Sequence, residues 1–203
     1  MKRKVVDGLV NFVKKYEELD EVKTAEIRYA FEGIYLDVTK FILIGTLAIL
    51  LDIFKEMVTT LLLYNILRTY GFGLHATKTS YCIISSILLF IVGPYIINLL
   101  TLAKNIKILV ALICIIFLYK NAPADTIKRP LIHEKRRKKY KFLTVSLACL
   151  LTVSLFFVKD NFISNAIMYS MVVETLLVSP FVYHLFKLPY ANYKTYVAKS
   201  CSV

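Results

Sequence analysis

The chain has 203 residues, of which 58% are hydrophobic and none is tryptophan. At a mean hydropathy of +0.62 it carries more apolar surface than a water-soluble domain of this length can bury, so a soluble globular protein is excluded and lipid must form part of its surroundings. The formal net charge of +12 is concentrated between the apolar stretches, which favours membrane orientation over nucleic-acid binding.

Residues 1–36 predict cytoplasmic or interfacial helices that lie on the membrane. A second helical stretch begins near Thr24 and leads into the first span near Val38. No apolar core of a signal peptide interrupts the charged residues, so we expect no cleavable signal. Residues on one apolar face recur at the spacing of an amphipathic helix, namely Val6, Leu9, Val10, Val13 and Tyr16.

Residues 37–188 predict a transmembrane bundle, because a bilayer needs about 20 apolar residues per helix and a lipid-exposed backbone must satisfy its own hydrogen bonds. The fold class is therefore all-α: a single polytopic membrane domain with about six transmembrane helices. Gly93 and Pro94 are expected to kink the third span. An alternative is that the first two spans form one long bent helix. The spans are about 38–51, 57–67, 79–102, 106–119, 142–158 and 162–186.

The basic residues orient this bundle. The segment 121–141 holds much of the positive charge, and we interpret it as a cytoplasmic loop by the positive-inside rule. Six crossings then place the N-terminus, the tail 189–203 and the link between the second and third spans in the cytoplasm. The sequence therefore predicts a multi-pass cell-membrane protein whose link faces the cytoplasm.

That link leads to a histidine and a cysteine. Cys82 lies in the first turn of its helix if the helix begins near Thr79, and there the helix dipole favours a thiolate. His75 is near it in sequence, and an imidazole can accept the thiol proton. Along one helix the pair would be roughly 10 Å apart, so His75 must fold back, which Gly71 and Gly73 allow. Alternatively, His75 is an interfacial loop residue and Cys82 a small core hydrophobe.

The other cysteines, histidines and acidic residues give weaker indications of a catalytic or metal-binding role. The spacing of cysteines and histidines is not that of a zinc site, so we expect no metal and no cofactor. Glu174 lies within the last span and must face the bundle interior or water. A structural hydrogen bond is the favoured role for it. Asp125 and Glu174 are candidates for a third catalytic residue only by elimination.

Three blocks of sequence together resemble the accessory gene regulator protein B (AgrB) family, the membrane cysteine endopeptidases that mature a cyclic quorum-sensing peptide in Gram-positive bacteria. The first block is Arg68-Thr-Tyr-Gly-Phe-Gly73-Leu-His75-Ala, with Cys82 seven positions after the histidine. The second is Asn121-Ala-Pro-Ala-Asp125-Thr-Ile-Lys-Arg-Pro130-Leu, followed by a basic cluster. The third is Glu26-Ile-Arg-Tyr29, before the first span.

The resemblance implies a cysteine endopeptidase with Cys82 as nucleophile, His75 as base, and Arg68 and Gly73 at supporting positions. Its substrate would be an AgrD-like precursor peptide with an amphipathic leader, a central signal segment and an acidic C-terminal tail. Cys82 would attack the bond before the tail to give an acyl-enzyme thioester. A cysteine or serine of the precursor would then displace the enzyme and close a thiolactone or lactone.

The basic cluster has two interpretations. It can dock the acidic tail of the precursor by electrostatic attraction, or it can fix topology and contact anionic lipid. The expected partners are thus the precursor peptide and membrane lipid, without nucleic acid, and a homodimer is left open. The alternative for the whole chain is a non-enzymatic transporter or assembly partner, although paired repeats typical of transporters are absent. The cluster consists of Lys135, Arg136, Arg137, Lys138 and Lys139.

Overall fold

The computed structural model describes residues 2–17, 20–74, 79–126 and 130–194. Within these ranges the regular structure is helical, and an isolated β-bridge joins Phe72 and Ala124. The predicted all-α fold class is therefore confirmed. The chain divides into two compact units, residues 1–52 and 53–203.

The first unit contains two helices, α1 (Lys2–Lys14) and α2 (Glu21–Leu50). The apolar face predicted for α1 is buried at Val6 and Val10. Its Asp7 carboxylate accepts a hydrogen bond from the Arg28 guanidinium of α2. The helix α2 starts at a capping Asp20, whose side chain accepts from the Lys23 N–H at 2.7 Å, as carboxylates at helix starts commonly do. It continues without interruption through the position near Val38 where a span was expected to begin.

The second unit is a bundle in which α8 packs against both α3 and α6, and α6 also packs against α7. Small residues such as Ala111 and Ala148 are fully buried in its core, which lets neighbouring helices approach closely. The elements are α3 (Phe54–Gly71), α4 (Thr79–Ile87), a π-helical turn (Leu88–Val92), α5 (Gly93–Leu99), α6 (Lys104–Asn121), α7 (Glu134–Phe157), α8 (Asn161–Val178) and α9 (Pro180–Leu185).

Four of the described helical segments are long and apolar enough to cross a membrane: 21–50, 80–99, 134–157 and 161–178. This supports a membrane protein, while the count of six spans stays a prediction. The helices α3 and α6 also matched predicted spans, but each carries three charged side chains. The first two predicted spans are not one continuous helix, because α2 ends at Leu50 and Asp52 has a φ of 55°.

Three helix boundaries show what the sequence pattern could and could not predict. The expected irregularity at Gly93 and Pro94 appears as the π-helical turn immediately before them, a feature that bends helices. The last predicted span ends early, because Ser179 is extended before Pro180 and a proline disfavours helix in the residue preceding it. The helix that carries the span expected from residue 142 begins earlier, at Glu134.

The early start of α7 corrects the prediction of a basic loop through residue 141. Lysine, arginine and glutamate are good helix formers in water, and Lys138 pairs with Glu134 one turn earlier at 2.7 Å, which supports the helix. The basic cluster therefore lies on the first turns of a helix that continues into an apolar span.

Candidate active site

The link is the segment between α3 and α4, and its described residues are Phe72, Gly73 and Leu74. It turns sharply at Gly73. Its φ is +93°, and a Cβ atom there would lie 2.6 Å from the Arg68 Nη1 and 2.7 Å from the Leu177 carbonyl oxygen. Both distances are shorter than real Cβ contacts, and the φ is one that side chains other than glycine rarely adopt. Glycine is therefore required at this position for conformation and for space.

Arg68, in the last turn of α3, holds the link by its backbone carbonyls. Its guanidinium donates hydrogen bonds to the carbonyl oxygen of Phe72, to that of Gly73 at 3.2 Å and to that of Leu74 at 2.5 Å. A planar guanidinium suits this task because its donors point in several fixed directions. Arg68 thus organises the three residues that precede His75.

Glu174 of α8 supplies a negative charge beside Arg68. Its side chain is fully buried, and its Oε2 lies 3.7 Å from the Arg68 Nη1. Neither carboxylate oxygen has a hydrogen-bond partner among the described residues. A structural hydrogen bond was the favoured role for Glu174, but the described residues show a charge pair with Arg68 instead. Gly71 makes room for it, since a Cβ at Gly71 would lie 2.2 Å from the Glu174 Oε1.

Two other segments hold the link in place. The Gly73 N–H donates to the Ala124 carbonyl at 2.8 Å, and the Ala124 N–H donates to the Gly71 carbonyl at 3.1 Å. On another side, the Leu74 N–H donates to the Leu177 carbonyl near the end of α8 at 2.8 Å. The backbone is therefore fixed by distant segments as far as the residue before His75.

Asp125 serves the fold through its carboxylate. It is 2% exposed and accepts hydrogen bonds from the backbone N–H groups of Tyr193 at 2.7 Å, Asn192 at 2.9 Å and Leu131 at 3.4 Å. The Tyr183 hydroxyl donates to its carbonyl oxygen at 3.0 Å. Asp125 thereby fastens residues 189–194, here called the C-terminal segment, to the turn after α6.

Cys82 lies on α4 (Thr79–Ile87), among the first four residues of that helix that the structure describes, and its side chain is partly buried. Its carbonyl oxygen accepts a hydrogen bond from the Ser85 hydroxyl at 3.1 Å. His75 lies outside the described residues, so its approach to Cys82 stays a prediction, while Arg68 and Gly73 are brought into direct contact.

The five residues of the basic cluster are not equivalent. Arg137 is partly buried, donates to the Leu131 and Ile132 carbonyls at 2.7 and 2.8 Å, and stacks 4.0 Å from the Tyr193 ring centroid. Lys138 pairs with Glu134. The other three members of the cluster are exposed: Lys135, Arg136 and Lys139.

A comparison with known protein families decides which family this is. The family model described as accessory gene regulator B matches residues 6–178, a range that includes all the site residues predicted from the sequence. The chain belongs to the accessory gene regulator B family. The resemblance drawn from the three sequence blocks is thereby confirmed.

Relatives in the AgrB family align over most of their own length. An AgrB-like protein of Listeria innocua is 32% identical over 179 residues, covering 87% of each chain. An AgrB-like protein of Clostridium acetobutylicum is 27% identical, covering 89% of this chain and 87% of its own. The accessory gene regulator protein B of Staphylococcus aureus is 26% identical, covering 88% and 94%. No solved structure matches the chain.

Sequence reasoning missed two features of this AgrB-family site. The pairing of Arg68 with Glu174 joins residues far apart in the chain, and only the isolated charge in an apolar span hinted at it. No sequence pattern indicated that Asp125 holds the C-terminal segment. Among the described residues, no three histidines, cysteines or acidic residues are grouped to hold a metal ion.

Proposed function

We propose that this chain is a membrane cysteine endopeptidase that removes the C-terminal tail of a quorum-sensing precursor peptide and promotes its cyclisation. Membership of the accessory gene regulator B family implies a role in processing a quorum-sensing peptide. The cysteine chemistry, the thiolactone or lactone product and the residues that act are parts of the proposal.

The observation that carries the proposal is the set of hydrogen bonds from Arg68 to the backbone of the link. A cysteine in the first turn of a helix gains some thiolate character, but peptidase chemistry also needs a base held at a fixed position. Three carbonyls bound by Arg68, together with three backbone hydrogen bonds to other segments, fix the chain up to Leu74. Such a scaffold is what positioning the next residue, His75, requires.

In the proposed reaction, His75 takes the proton of the Cys82 thiol, and the sulfur attacks the carbonyl carbon of the peptide bond before the tail. His75 then gives this proton to the leaving amine as the C–N bond breaks, which leaves an acyl-enzyme thioester. The cysteine thiol or serine hydroxyl of the precursor attacks the thioester carbon, its proton passes through His75 to the Cys82 sulfur, and the ring closes. Because the thioester is exchanged rather than hydrolysed, its bond energy is kept in the product.

Substrate binding is assigned to the basic cluster. An acidic tail is attracted to several positive charges on one helix surface, and salt screens that attraction only in part at short range. The exposed members Lys135, Arg136 and Lys139, with Lys138, provide this charge, whereas Arg137 already serves the fold. Contact with anionic lipid is the competing role for the same residues.

The test is coexpression of the full chain with a candidate precursor peptide, followed by mass spectrometry of the products. Cys82→Ala and His75→Ala are each expected to abolish release of the tail, and Cys149→Ala, which removes an exposed cysteine on α7, is the matched control. If both site variants still release the tail at the wild-type level, the peptidase assignment is wrong. Trapping the acyl-enzyme on Cys82 would support the thioester step directly.

A further inference from the structure

A second polar site lies in the bundle far from the link. It occupies the end where α6 and α8 begin, whereas the link contacts the ends of these helices, about 27 Å away for 18 residues of helix. The opening has a volume of about 180 Å³. We call it the lysine pocket, and its lining residues are Leu102, Lys104, Lys107, Leu155, Val158, Lys159, Asn161 and Ser164.

Lys107 is the innermost charge of this pocket. It is 3% exposed, and its ammonium donates to the Asn161 Oδ1 at 2.8 Å and to the Ser164 Oγ at 2.7 Å. Both acceptors are neutral, and Lys107 makes no salt bridge within the part of the chain that the structure describes. An ammonium buried beside neutral acceptors lacks the opposite charge that normally compensates its lost hydration.

The surroundings of Lys107 add positive potential. Lys104 and Lys159 line the same opening. Lys104 donates to the Phe156 carbonyl at 2.6 Å, but neither lysine makes a salt bridge among the described residues, and no acidic side chain is part of the lining. The N-termini of α6 and α8 both meet here, and helix N-termini carry partial positive charge. Asp160, next to the pocket in sequence, uses its carboxylate to cap α8 by accepting from the Ile163 N–H at 2.8 Å. The positive charges of the pocket therefore have no opposite charge among the described side chains that line it.

Exposed apolar residues close to the pocket in sequence indicate what kind of anion would suit it. Phe156 and Phe157, at the end of α7, are 56% and 78% exposed, and Leu99 at the end of α5 is 69% exposed. In a membrane protein such side chains contact acyl chains. A phosphate group joined to acyl chains would satisfy the lysines and these apolar residues together, whereas a phosphate ion from water would satisfy only the lysines.

We propose that the lysine pocket binds the phosphate group of an anionic membrane lipid. The phosphate oxygens accept hydrogen bonds from Lys104 and Lys159 at the opening and from the buried ammonium of Lys107. This proposal concerns lipid binding alone and does not depend on the peptidase chemistry assigned to the link.

The test measures thermal unfolding of the full chain in nanodiscs of phosphatidylcholine with increasing phosphatidylglycerol, and in detergent with inorganic phosphate. Wild-type protein is expected to gain stability with phosphatidylglycerol in a saturable way, as a ligand that binds the folded state does. In Lys107→Gln, and in Lys104→Gln combined with Lys159→Gln, apparent affinity should fall about tenfold or more. The double variant leaves the buried lysine intact, so it tests binding even if Lys107→Gln folds poorly.

Lys55→Gln is the matched control, because it removes the same charge from an exposed position that is not part of the pocket. It should keep the wild-type response to phosphatidylglycerol. Equal loss in this control and in the double variant would overturn the proposal by showing a general charge effect. Stabilisation by inorganic phosphate with no preference for phosphatidylglycerol would show that the pocket does not bind lipid. An unchanged response to phosphatidylglycerol in the double variant would show that the pocket has only a structural role.

Discussion

Replacement of Gly73 by alanine should strongly slow processing while leaving most of the fold intact. A residue other than glycine at a φ of +93° costs about 1–3 kcal/mol. The added Cβ would also lie 2.6 Å from the Arg68 guanidinium and 2.7 Å from a backbone oxygen, and such overpacking typically costs about 1–3 kcal/mol more. The combined cost is roughly 2–6 kcal/mol.

This cost is comparable with or larger than the contribution of the backbone hydrogen bonds that anchor the link, and the added Cβ also displaces the Arg68 guanidinium that binds its carbonyls. The hydrogen bonds from the link to Ala124 and Leu177 contribute about 1 kcal/mol each, so the link should move before the helices do. If that displacement removes about 3 kcal/mol of transition-state stabilisation, the rate falls by roughly a hundredfold. The midpoint of thermal unfolding should change much less than the rate.

The assay is tail release from a coexpressed precursor, with protein level and thermal unfolding measured on the same samples. Gly45→Ala is the matched control, because a Cβ at that position meets nothing within 4 Å and alanine is favoured over glycine in a helix. Wild-type processing by a well-folded Gly73→Ala variant would refute the reasoning. Equal loss of activity in both variants would show that the effect is not specific to the link.

Further predictions address the charges around the site. Glu174→Gln leaves the Arg68 guanidinium without its counter-charge and should destabilise the protein by about 3 kcal/mol. Adding Arg68→Gln removes the uncompensated charge and should recover part of the thermal stability, but not tail release, because the link loses the hydrogen bonds of Arg68. A Glu174→Gln variant as stable as wild type would contradict the pairing. Asp125→Asn replaces an acceptor of backbone N–H groups with an amide that also donates, so limited proteolysis should cut the C-terminal segment faster, and an unchanged digestion pattern would argue against this anchor. Arg136→Gln combined with Lys139→Gln should raise KM for an acidic-tailed precursor severalfold with little change in kcat. High salt should have the same effect on the wild-type protein. An unaltered KM would mean that these residues serve topology or lipid contact instead.

Local features of the bundle could be predicted because they depend on neighbours in sequence. The irregular turn before Gly93 follows from such neighbours. The start of α7 was misplaced because an apolar pattern marks where a helix enters lipid, whereas Glu134–Lys138 contacts decide where it begins in water. Hydropathy and helix propensity are separate signals, and the boundary at residue 142 reflects hydropathy alone.

The contacts of the candidate site could not be predicted in the same way. The sequence predicted that Gly73 lets the link fold back, but it provided no steric reason for glycine at this position. That reason is the position of the Leu177 carbonyl and of the Arg68 guanidinium, which depends on the packing of α8 against α3. Glu174 was correctly expected to face the interior, yet its pairing with Arg68 needed the same packing.

The way the link is held determines how members of this family can be recombined. Its backbone is bound to Ala124 and Leu177, and Phe72 stacks on Tyr140 of α7 at 5.3 Å. A chimera that exchanges residues 71–82 alone would set one homologue's link against another's anchoring segments. The portable unit is discontinuous: the end of α3 and the link, the turn after α6, the start of α7 and the end of α8 must be transplanted together.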